Sequence, residues 1–370
     1  MGDNILTMIK VIELPIDKDM GGLTSYVLQL YRMIDKKEFE LTLLSYDDPQ
    51  NFDVNYKVET VSRPYHLIQF YKKMKCLLSE EKDIIHFHQS YVNIIPILIA
   101  KLAGFKTIIL HAHSSSIDDN RKIVRFLKTG LHKVGRFLLP YLVDTYIGCS
   151  TKASEWMFPR ICIDSDSYYL LHNAIDLDLY DRNINLGLEV RQKFNIPKDA
   201  LVVGHIGRFT PVKNHPFIID IFKEVLKQNP NSYLFLLGDG VERHKVESLV
   251  KLAAISDKVI FMGYVNNTVE VMQAIDIMIL PSLFEGLPLI AIESQALGIP
   301  ILVSDTITQE VMLTDLCVSL PIDNSKKWAQ EILFRFKKNK FIDCRNEIKA
   351  LGYDSRDAIK KIEKIYKEKK

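Results

Sequence analysis

Short apolar runs alternate with helix-length segments along the chain, and this pattern constrains the fold more than any other feature. Such alternation is typical of a parallel sheet that is covered by helices on both faces. The predicted strands are Ile9–Leu14, Glu40–Ser45, Ile84–Phe87, Thr107–Leu110, Thr145–Gly148 and Tyr168–Leu171, followed by Leu201–His205, Tyr233–Leu237, Lys258–Phe261, Ile277–Leu280 and Ile301–Val303.

The alternation breaks after His172–Asp176, in a polar and irregular stretch over residues 180–198, and then begins again. A chain of 370 residues is also longer than one compact core usually takes. We therefore predict an α/β protein with two doubly wound, Rossmann-like lobes, residues 1–178 and 179–354. A C-terminal helix over about 355–370 should pack back onto the first lobe. Parallel sheets bind ligands at the carboxyl ends of their strands, which predicts a ligand cleft between the lobes.

Charge and composition argue against several classes of protein. The 48 Lys and Arg residues against 46 Asp and Glu give a net charge of +2, so bulk charge does not suggest nucleic acid as a partner. The start of the chain has no basic region followed by an apolar run, and no apolar stretch reaches ~18 residues, so we expect a cytoplasmic protein. The five cysteines show no C-x-x-C spacing, so we expect free thiols and no bound metal.

One segment of the second half places two carboxylates around the start of a predicted helix. A strand ends at Leu280, Pro288 can open the helix, and Gly298 can close it. Glu285 lies in the loop before the helix, and Glu293 lies about one turn into it among aliphatic residues. A carboxylate in that position needs polar partners, which the hydroxyls of a ribose or hexose can supply. The free amides at the helix start also favour an anion such as a phosphate.

The loop Gly207–Asn214 follows the first predicted strand of the second half and carries two cations. Arg208 and Lys213 can both reach a diphosphate, and each charge-assisted hydrogen bond contributes about 1.5–3 kcal/mol. They would also stabilise the charge on a departing nucleoside diphosphate. Taken singly, each segment has an ordinary alternative, because a Glu-x7-Glu spacing arises by chance and loop cations are commonly solvated.

Together, and in this order, the two segments resemble the retaining GT-B glycosyltransferases of group 1, or family 4, over nearly the whole chain. Gly207-Arg208…Lys213 matches the family's diphosphate-binding loop, with one residue fewer between the basic pair, and Glu285 and Glu293 match its Glu-x7-Glu. The resemblance implies that Glu285 faces the transferred sugar and that Glu293 holds the ribose. It also implies donor contacts from the backbone of Phe284, Gly286 and Leu287, and from a base-binding edge, Phe261–Val265, that includes Gly263.

The resemblance assigns residues in the first lobe as well. Gly22 lies in a Gly-Gly loop that opens a helix, where backbone amides can approach the donor phosphates closely. Asn173 matches the asparagine of the family's hinge segment, although Ala174 stands where glycine is usual.

A histidine pattern accompanies the strand Thr107–Leu110. His113 follows this strand and matches the family's active-site histidine, which implies a hydrogen bond to the donor sugar and support for positive charge at its anomeric carbon. His111 and the pair His86 and His88 remain alternatives for this role.

The reaction that the resemblance implies is transfer of a sugar from a nucleotide-diphosphate sugar with retention of configuration and with no cofactor. The Asp-x-Asp pairs at 164–166 and 176–178 lie near the lobe boundary, not where a metal-bound diphosphate is expected, so Arg208 and Lys213 would replace the metal. No motif marks a nucleophilic carboxylate, so we expect the acceptor to attack from the leaving-group side. The family favours a UDP-sugar donor, a saccharide or lipid-linked saccharide acceptor, and a role in exopolysaccharide or capsule synthesis.

Two other functions are compatible with such a chain. A nucleotide-sugar epimerase shares the fold, but the combination of cations and carboxylates favours transfer. A non-catalytic, two-lobed sugar-binding protein would need export, which the start of the sequence does not indicate.

Residues 120–143 hold six basic residues and no acidic one. On a helix with about 100° per residue, aliphatic side chains share one face and basic side chains the other. This profile is typical of an interfacial helix on an anionic membrane at residues 121–138, and equally of a helix packed on its own sheet. The aliphatic face comprises Ile123, Val124, Leu127, Leu131, Val134 and Leu138; the basic residues are Arg121, Lys122, Arg125, Lys128, Lys133 and Arg136.

Overall fold

The chain forms two compact units in the computed structural model. The first consists of Met1–Ala174 with Ser355–Lys370, and the second is Ile175–Asp354, so the division falls slightly before residue 178. The structure describes residues 8–16, 22–46, 48, 56–79, 84–117, 119, 121–265, 267–338 and 341–369.

A seven-stranded, all-parallel sheet forms the centre of the first unit. Its strands are β1 (Ile9–Ile16), β2 (Phe39–Ser45), β3 (Val58–Thr60), β4 (Ile84–Gln89), β5 (Thr107–Ala112), β6 (Thr145–Gly148) and β7 (Tyr168–Leu170), in the order β3-β2-β1-β4-β5-β6-β7. Its helices are α1 (Gly22–Met33), α2 (Leu67–Ser79), α3 (Ile94–Ala103), α4 (Lys122–Leu142), α5 (Thr151–Met157), α6 (Arg160–Ile163) and the C-terminal helix Ser355–Lys369.

A six-stranded, all-parallel sheet forms the centre of the second unit. Its strands are β8 (Leu201–Ile206), β9 (Ser232–Leu237), β10 (Val259–Gly263), β11 (Ile277–Leu280), β12 (Ile301–Ser304) and β13 (Cys317–Leu320), in the order β10-β9-β8-β11-β12-β13. Its helices are α7 (Ile184–Lys193), α8 (His215–Gln228), α9 (Arg243–Leu252), α10 (Thr268–Met272), α11 (Leu289–Ala296), α12 (Ser325–Lys338) and α13 (Arg345–Ala350); the C-terminal helix is therefore α14. Short 3-10 turns lie at Leu177–Leu179, Pro211–Lys213, Ser256–Lys258 and Gln309–Val311.

The predicted α/β class with two parallel sheets is confirmed, and each predicted strand is present. Two strands were not predicted, β3 and β13, which are short and form sheet edges. The prediction of an irregular stretch over 180–198 was wrong in part, because α7 begins there after Asn183. The side chain of Asn183 accepts a hydrogen bond from the backbone N–H of Leu186 at 3.1 Å and caps the helix.

Strands β1, β4 and β5 are buried on both faces, as their aliphatic sequences require. Four polar side chains nevertheless lie in these strands at 0–1% exposure: Glu13, His86, His88 and His111. Burial of polar groups is unfavourable unless they are hydrogen-bonded, so these residues require partners within the first unit.

Candidate active site

The sheet of the second unit has a topological switch point between β8 and β11. These strands are neighbours, yet the chain continues from β8 to β9 on one side and from β11 to β12 on the other. A switch of this kind opens a crevice at the carboxyl ends of the strands, where α/β sheets bind ligands. The loop Gly207–Asn214 follows β8 and the loop Pro281–Pro288 follows β11, so both predicted segments lie at this crevice.

Direct hydrogen bonds join the two loops. The backbone N–H of Leu283 donates to the carbonyl of Val212 at 2.8 Å, and the side-chain amide of Asn214 donates to the carbonyl of Pro281 at 3.3 Å. The loops therefore form one structural element, in which Lys213 of the first loop lies beside Glu285 of the second.

Lys213 and Glu285 form an ion pair within this element. The Nζ of Lys213 lies 2.5 Å from Oε1 of Glu285, and the side chains are only 18% and 17% exposed. Arg208 is exposed, and its guanidinium has no ion pair with any residue that the structure describes. The loop thus offers one exposed cation, Arg208, and one cation, Lys213, that is shared with a carboxylate.

Glu293 lies one turn into α11, which begins after Pro288 and is followed by Gly298 at a φ of +70°, as predicted. Burial raises the pKa of the Glu293 carboxyl, while a hydrogen bond from Tyr180 lowers it. Burial, and then the charge of Glu293, raises the pKa of Tyr180 in return. The Glu293 side chain is partly exposed, so a ligand hydroxyl can reach a carboxylate that already accepts one hydrogen bond from the protein.

A pair of glycines was missed in the sequence. Gly238 has a φ of +124°, and a Cβ there would lie 2.2 Å from the carbonyl oxygen of Gly207. A Cβ on Gly240 would likewise lie only 2.7 Å from the carbonyl oxygen of Phe209. The loop after β9 therefore packs against the loop that carries Arg208. The Gly-Asp-Gly sequence directly after a predicted strand was the available signal.

The remaining predicted donor contacts of the second unit lie at the same end of its strands. Phe284 is half-buried, while Gly286 and Leu287 are buried in the loop after β11. Gly263 ends β10 with a φ of +65°, and its carbonyl accepts a hydrogen bond from the backbone of Gly238 at 2.7 Å. Their contacts to a donor stay predictions.

A buried network of acid and histidine side chains crosses three adjacent strands of the first unit. Nε2 of His88 on β4 lies 2.6 Å from Oε2 of Glu13 on β1. Nδ1 of His88 lies 2.9 Å from Nε2 of His113, which follows β5. Glu13, His88 and His113 thus form a hydrogen-bonded row. His86 and His111 pack beside this row, and their ring centroids are 5.4 Å apart. Sequence reasoning singled out the histidines but not Glu13.

Tyr366 of α14 completes this network. Its hydroxyl donates to Oε1 of Glu13 at 2.6 Å and lies 2.7 Å from Nδ1 of His86. Burial raises the pKa of Glu13, but charge and hydrogen-bond contributions from His86 and His88 hold it below its usual range. Burial lowers the pKa of His88 to about 4 and that of His113 well below its usual value. The carboxylate is therefore ionised, and His88 and His113 are neutral at pH 7.

One ring nitrogen from each of His86, His88 and His111 lies within 4.8 Å of the other two. Within the described ranges, this is the only cluster of side chains spaced closely enough to hold a metal ion. Both nitrogens of His88 are already hydrogen-bonded, to Glu13 and to His113. This arrangement does not offer three free lone pairs, so the residues as placed do not fit a three-histidine metal site.

Two predicted contacts of the first unit have simple placements. Gly22 is the first residue of α1, and the preceding Gly21 lies outside the described residues. Asn173 is 5% exposed, and its Oδ1 has no hydrogen-bond partner in the described part of the chain. Ala174 is not among the residues with positive φ, so this segment does not need glycine there.

Of the two alternatives for α4, the one in which its apolar side packs on the sheet does not match the structure, because most of that side is exposed. The buried residues are His132, Gly135 and Leu139, and Leu131 and Leu138 are half-buried. The exposed face is apolar, and each of its large side chains is more than half exposed: Ile123, Phe126, Leu127, Val134, Phe137 and Tyr141.

Some basic residues of α4 serve the fold. Lys128 pairs with Asp119 at 2.8 Å, and Arg136 donates to backbone carbonyls such as that of Phe158 at 2.9 Å. Arg121 also pairs with Asp119, at 3.1 Å. Among the helices in the described ranges, none combines the length and apolar character needed to cross a membrane.

Comparison with known proteins identifies the family. The model described as Glycosyltransferase Family 4 matches residues 20–179, and that described as Glycosyl transferases group 1 matches residues 188–364. EpsF of Bacillus subtilis (strain 168), a protein named as a glycosyltransferase, is 27% identical over 96% of each chain. The UDP-Gal:alpha-D-GlcNAc-diphosphoundecaprenol alpha-1,3-galactosyltransferase of Escherichia coli is 22% identical, over 97% of this chain and 96% of its own.

A solved structure has the same fold. HepE of Anabaena, crystallised in complex with UDP, superposes with a TM-score of 0.78 over 97% of this chain and all of its own, at 16% identity. The two family models in sequence order, the relatives matched over nearly their full length, and the two Rossmann-like sheets agree with one another. This chain belongs to the group 1 and family 4 glycosyltransferases and has the GT-B fold.

Proposed function

We propose that this glycosyltransferase moves a sugar from a UDP-sugar to a saccharide or lipid-linked saccharide acceptor, with retention of configuration. The observation that carries the proposal is the joined pair of loops at the switch point, which holds the Lys213–Glu285 pair and an exposed Arg208 that has no ion pair within the described ranges. The UDP bound in HepE and the UDP-Gal named for the Escherichia coli relative support uridine as the base.

Each charged group has a proposed role toward the donor. Arg208 and Lys213 bind the diphosphate, and Lys213 then shares its charge between the phosphate and Glu285. Glu285 accepts a hydrogen bond from a hydroxyl of the transferred sugar, and Glu293 accepts one from the ribose. In the first unit, His113 accepts a hydrogen bond from a substrate hydroxyl, and the amide of Gly22 and the side chain of Asn173 are further proposed contacts.

The proposed chemistry is attack from the leaving-group side. The bond between the anomeric carbon and the diphosphate oxygen breaks as the acceptor oxygen bonds to the same face of that carbon. The acceptor proton passes to the departing diphosphate. Negative charge grows on the diphosphate as this bond breaks. Arg208 and Lys213 therefore stabilise the transition state more than the ground state. In this proposal the two cations supply the charge that a metal ion would otherwise supply.

Thermal stabilisation by a panel of nucleoside diphosphates and nucleotide sugars tests donor binding. A ligand that binds only the folded protein adds about 2.7 kcal/mol of stability at 100 times its Kd. We expect UDP and at least one UDP-sugar to raise the Tm, and uridine alone to raise it much less because it lacks the diphosphate. A panel in which no nucleoside diphosphate raises the Tm would contradict the proposal.

Tyr180→Phe is expected to move the acidic limit of donor binding to higher pH. Ribose hydroxyls donate to the ionised form of Glu293, so affinity is lost as the pH falls through the raised pKa of this carboxyl. Removing the hydrogen bond from Tyr180 lets that pKa rise further. UDP affinity measured by calorimetry over about pH 5–8 checks this. Tyr233→Phe, at a half-buried tyrosine near the amino end of β9, is the control, and coincident profiles for Tyr180→Phe and wild type would contradict the role of Glu293.

We also propose that α4 docks on the inner surface of an anionic membrane, where the enzyme meets a lipid-linked acceptor during exopolysaccharide or capsule synthesis. The exposed apolar side chains of α4 lie within an arc of about 100° on the helix. Lys122, Arg125 and Lys133 are exposed and have no ion pair in the described residues. An apolar stripe bordered by basic side chains complements the acyl boundary and the headgroups of anionic lipid. The diphosphoundecaprenol named for the Escherichia coli relative supports a lipid-linked acceptor.

The double variant Phe126→Ser/Phe137→Ser is expected to lose most of its membrane affinity. Burying a phenylalanine side chain contributes about 1.5–3 kcal/mol, so removing both should weaken binding at least ~10-fold. Sedimentation with phosphatidylglycerol-containing vesicles at low salt measures this. Leu252→Ser, an exposed apolar residue of α9, is the control. Absence of wild-type binding, or equal binding by the double variant, would contradict docking through α4.

A further inference from the structure

In the row Glu13–His88–His113, the chemistry of the groups determines which atom donates and which accepts in each hydrogen bond. We propose that Glu13 and His88 are positioning residues that hold His113 as the Nε2–H tautomer, so that its bare Nδ1 accepts a hydrogen bond from a substrate hydroxyl. The substrate part of this inference rests on the proposed function, whereas the tautomer itself does not.

The assignment of donors and acceptors starts from Glu13, which is completely buried. Its carboxylate meets Nε2 of His88 at 2.6 Å and the hydroxyl of Tyr366 at 2.6 Å, and Nδ1 of His86 lies at 3.3 Å. An ionised carboxylate only accepts hydrogen bonds, so Nε2 of His88 and the hydroxyl of Tyr366 must donate to it. A bare His88 Nε2 would place two acceptors 2.6 Å apart inside the protein, which is strongly unfavourable.

The protonation of His88 then determines that of His113. A neutral imidazole carries one N–H, and His88 uses it on Glu13, so its Nδ1 is an acceptor. Nε2 of His113 lies 2.9 Å from that acceptor and must donate to it. The remaining nitrogen, Nδ1 of His113, is therefore bare.

The hydrogen bonds of Tyr366 and His86, which lie beside the row, agree with this assignment of donors and acceptors. The Tyr366 hydroxyl donates its single proton to Glu13, so at 2.7 Å it accepts from Nδ1–H of His86. Glu13 thus accepts hydrogen bonds from His88 and from Tyr366, and the Nδ1–H of His86 is used on Tyr366, so His86 does not replace His88 as a donor to Glu13. Tyr26 of α1 packs against His111 and His113, with ring centroids 5.2 and 5.3 Å away, and holds the end of the row in place.

The free end of the row suits a hydroxyl donor. Nδ1 of His113 is buried from solvent and has no hydrogen-bond partner among the residues that the structure describes, so an occupant of this position would be its only partner there. A bare imidazole nitrogen can accept a hydrogen bond from a sugar hydroxyl but cannot donate one to a phosphate or a carbonyl oxygen. Positive charge that develops near His113 during transfer would be compensated through His88 by the buried Glu13 carboxylate.

Nitrogen NMR on protein labelled with ¹⁵N in its histidine rings tests the tautomer directly. At neutral pH, His113 should show a pyridine-type Nδ1 and a protonated, pyrrole-type Nε2, with the signals assigned through His113→Gln. In Glu13→Gln and in His88→Gln, His113 should become a mixture of tautomers. His132→Gln, at a buried histidine of the same unit outside the row, should leave His113 unchanged.

Several outcomes would overturn the inference. These are a protonated Nδ1 or an imidazolium at His113 in the wild type, or an unchanged His113 in folded Glu13→Gln. Stoichiometric zinc binding that shifts the signals of His86, His88 and His111 would also overturn it, because metal ligation would remove the donor from His88. The wild-type spectrum alone determines the tautomer, so the test stands even where a variant fails to fold.

The link to catalysis has its own readout. We expect Glu13→Gln to lower kcat at least ~10-fold while UDP affinity stays within about twofold, because the proposed UDP contacts of the second unit are unchanged. Equal kcat for Glu13→Gln and wild type, with the tautomer shifted, would remove the substrate role. Absence of any transferase activity in the wild type would contradict the proposed function and leave the tautomer standing.

Discussion

Lys213→Ala is expected to lower turnover with a nucleotide-sugar donor by about 10²–10³-fold and to leave the fold intact. The ammonium lies at the switch point of the second sheet, where the loop hydrogen bonds hold it beside Glu285. Its removal withdraws charge stabilisation from the departing diphosphate and also takes the lysine partner away from the Glu285 carboxylate close to the phosphates. Turnover is measured as release of nucleoside diphosphate, and circular dichroism checks the fold.

A matched control and a double variant separate the two effects of Lys213→Ala. Lys227 pairs with Glu224 at 2.6 Å on α8 of the same unit, away from the switch point, and Lys227→Ala should keep wild-type turnover. If Lys213 served only to neutralise Glu285, Glu285→Gln would make the loss of Lys213 harmless. We expect the double variant Lys213→Ala/Glu285→Gln to be at least as inactive as Lys213→Ala, and recovery of turnover in it would contradict diphosphate binding by Lys213.

Gly238→Ala is expected to destabilise the second unit by about 2–6 kcal/mol, the combined range for backbone strain and steric overlap. The added Cβ would lie 2.2 Å from the carbonyl oxygen of Gly207, at a φ of +124° that L-residues rarely adopt. The backbone of the cation-bearing loop would have to move, so donor affinity should fall together with stability. Urea unfolding and calorimetry with UDP measure the two effects.

Gly352→Ala is the control for backbone strain alone. Gly352 also has a positive φ, +88°, but a Cβ there would meet no atom within 4 Å. We expect it to cost only about 1–2 kcal/mol and to leave UDP affinity unchanged. Equal free energies of unfolding for the two variants would show that the approach of Gly238 to Gly207 does not determine the geometry of the loop.

Local signals account for what the sequence predicted correctly. Aliphatic runs define buried parallel strands, and the positions of Pro288 and Gly298 define the ends of α11. The ion pair of Lys213 and Glu285 was not predicted, but it follows from the same pattern, because the carboxyl ends of parallel strands share one edge of the sheet. The short edge strands β3 and β13 have too little burial to show such a pattern.

Long-range packing explains what the sequence could not predict. The contact between Glu13 and Tyr366 joins residues 353 positions apart, and no local pattern specifies it. An acidic residue inside the aliphatic run of β1 was the only local indication of a buried network. Helical periodicity gave α4 an apolar side but not its orientation, because the buried His132 and Gly135 pack inward while Phe126 and Phe137 remain exposed.

Release of UDP from UDP-sugars tests most directly whether this chain is a UDP-sugar-dependent glycosyltransferase that acts through the cations of one loop. With a panel of UDP-sugars and membrane lipid extract as acceptor source, we expect wild-type protein to release UDP from at least one donor, and Arg208→Ala and Lys213→Ala to release almost none. Conversion of a donor to its epimer without UDP release, or full activity in both variants, would contradict the account.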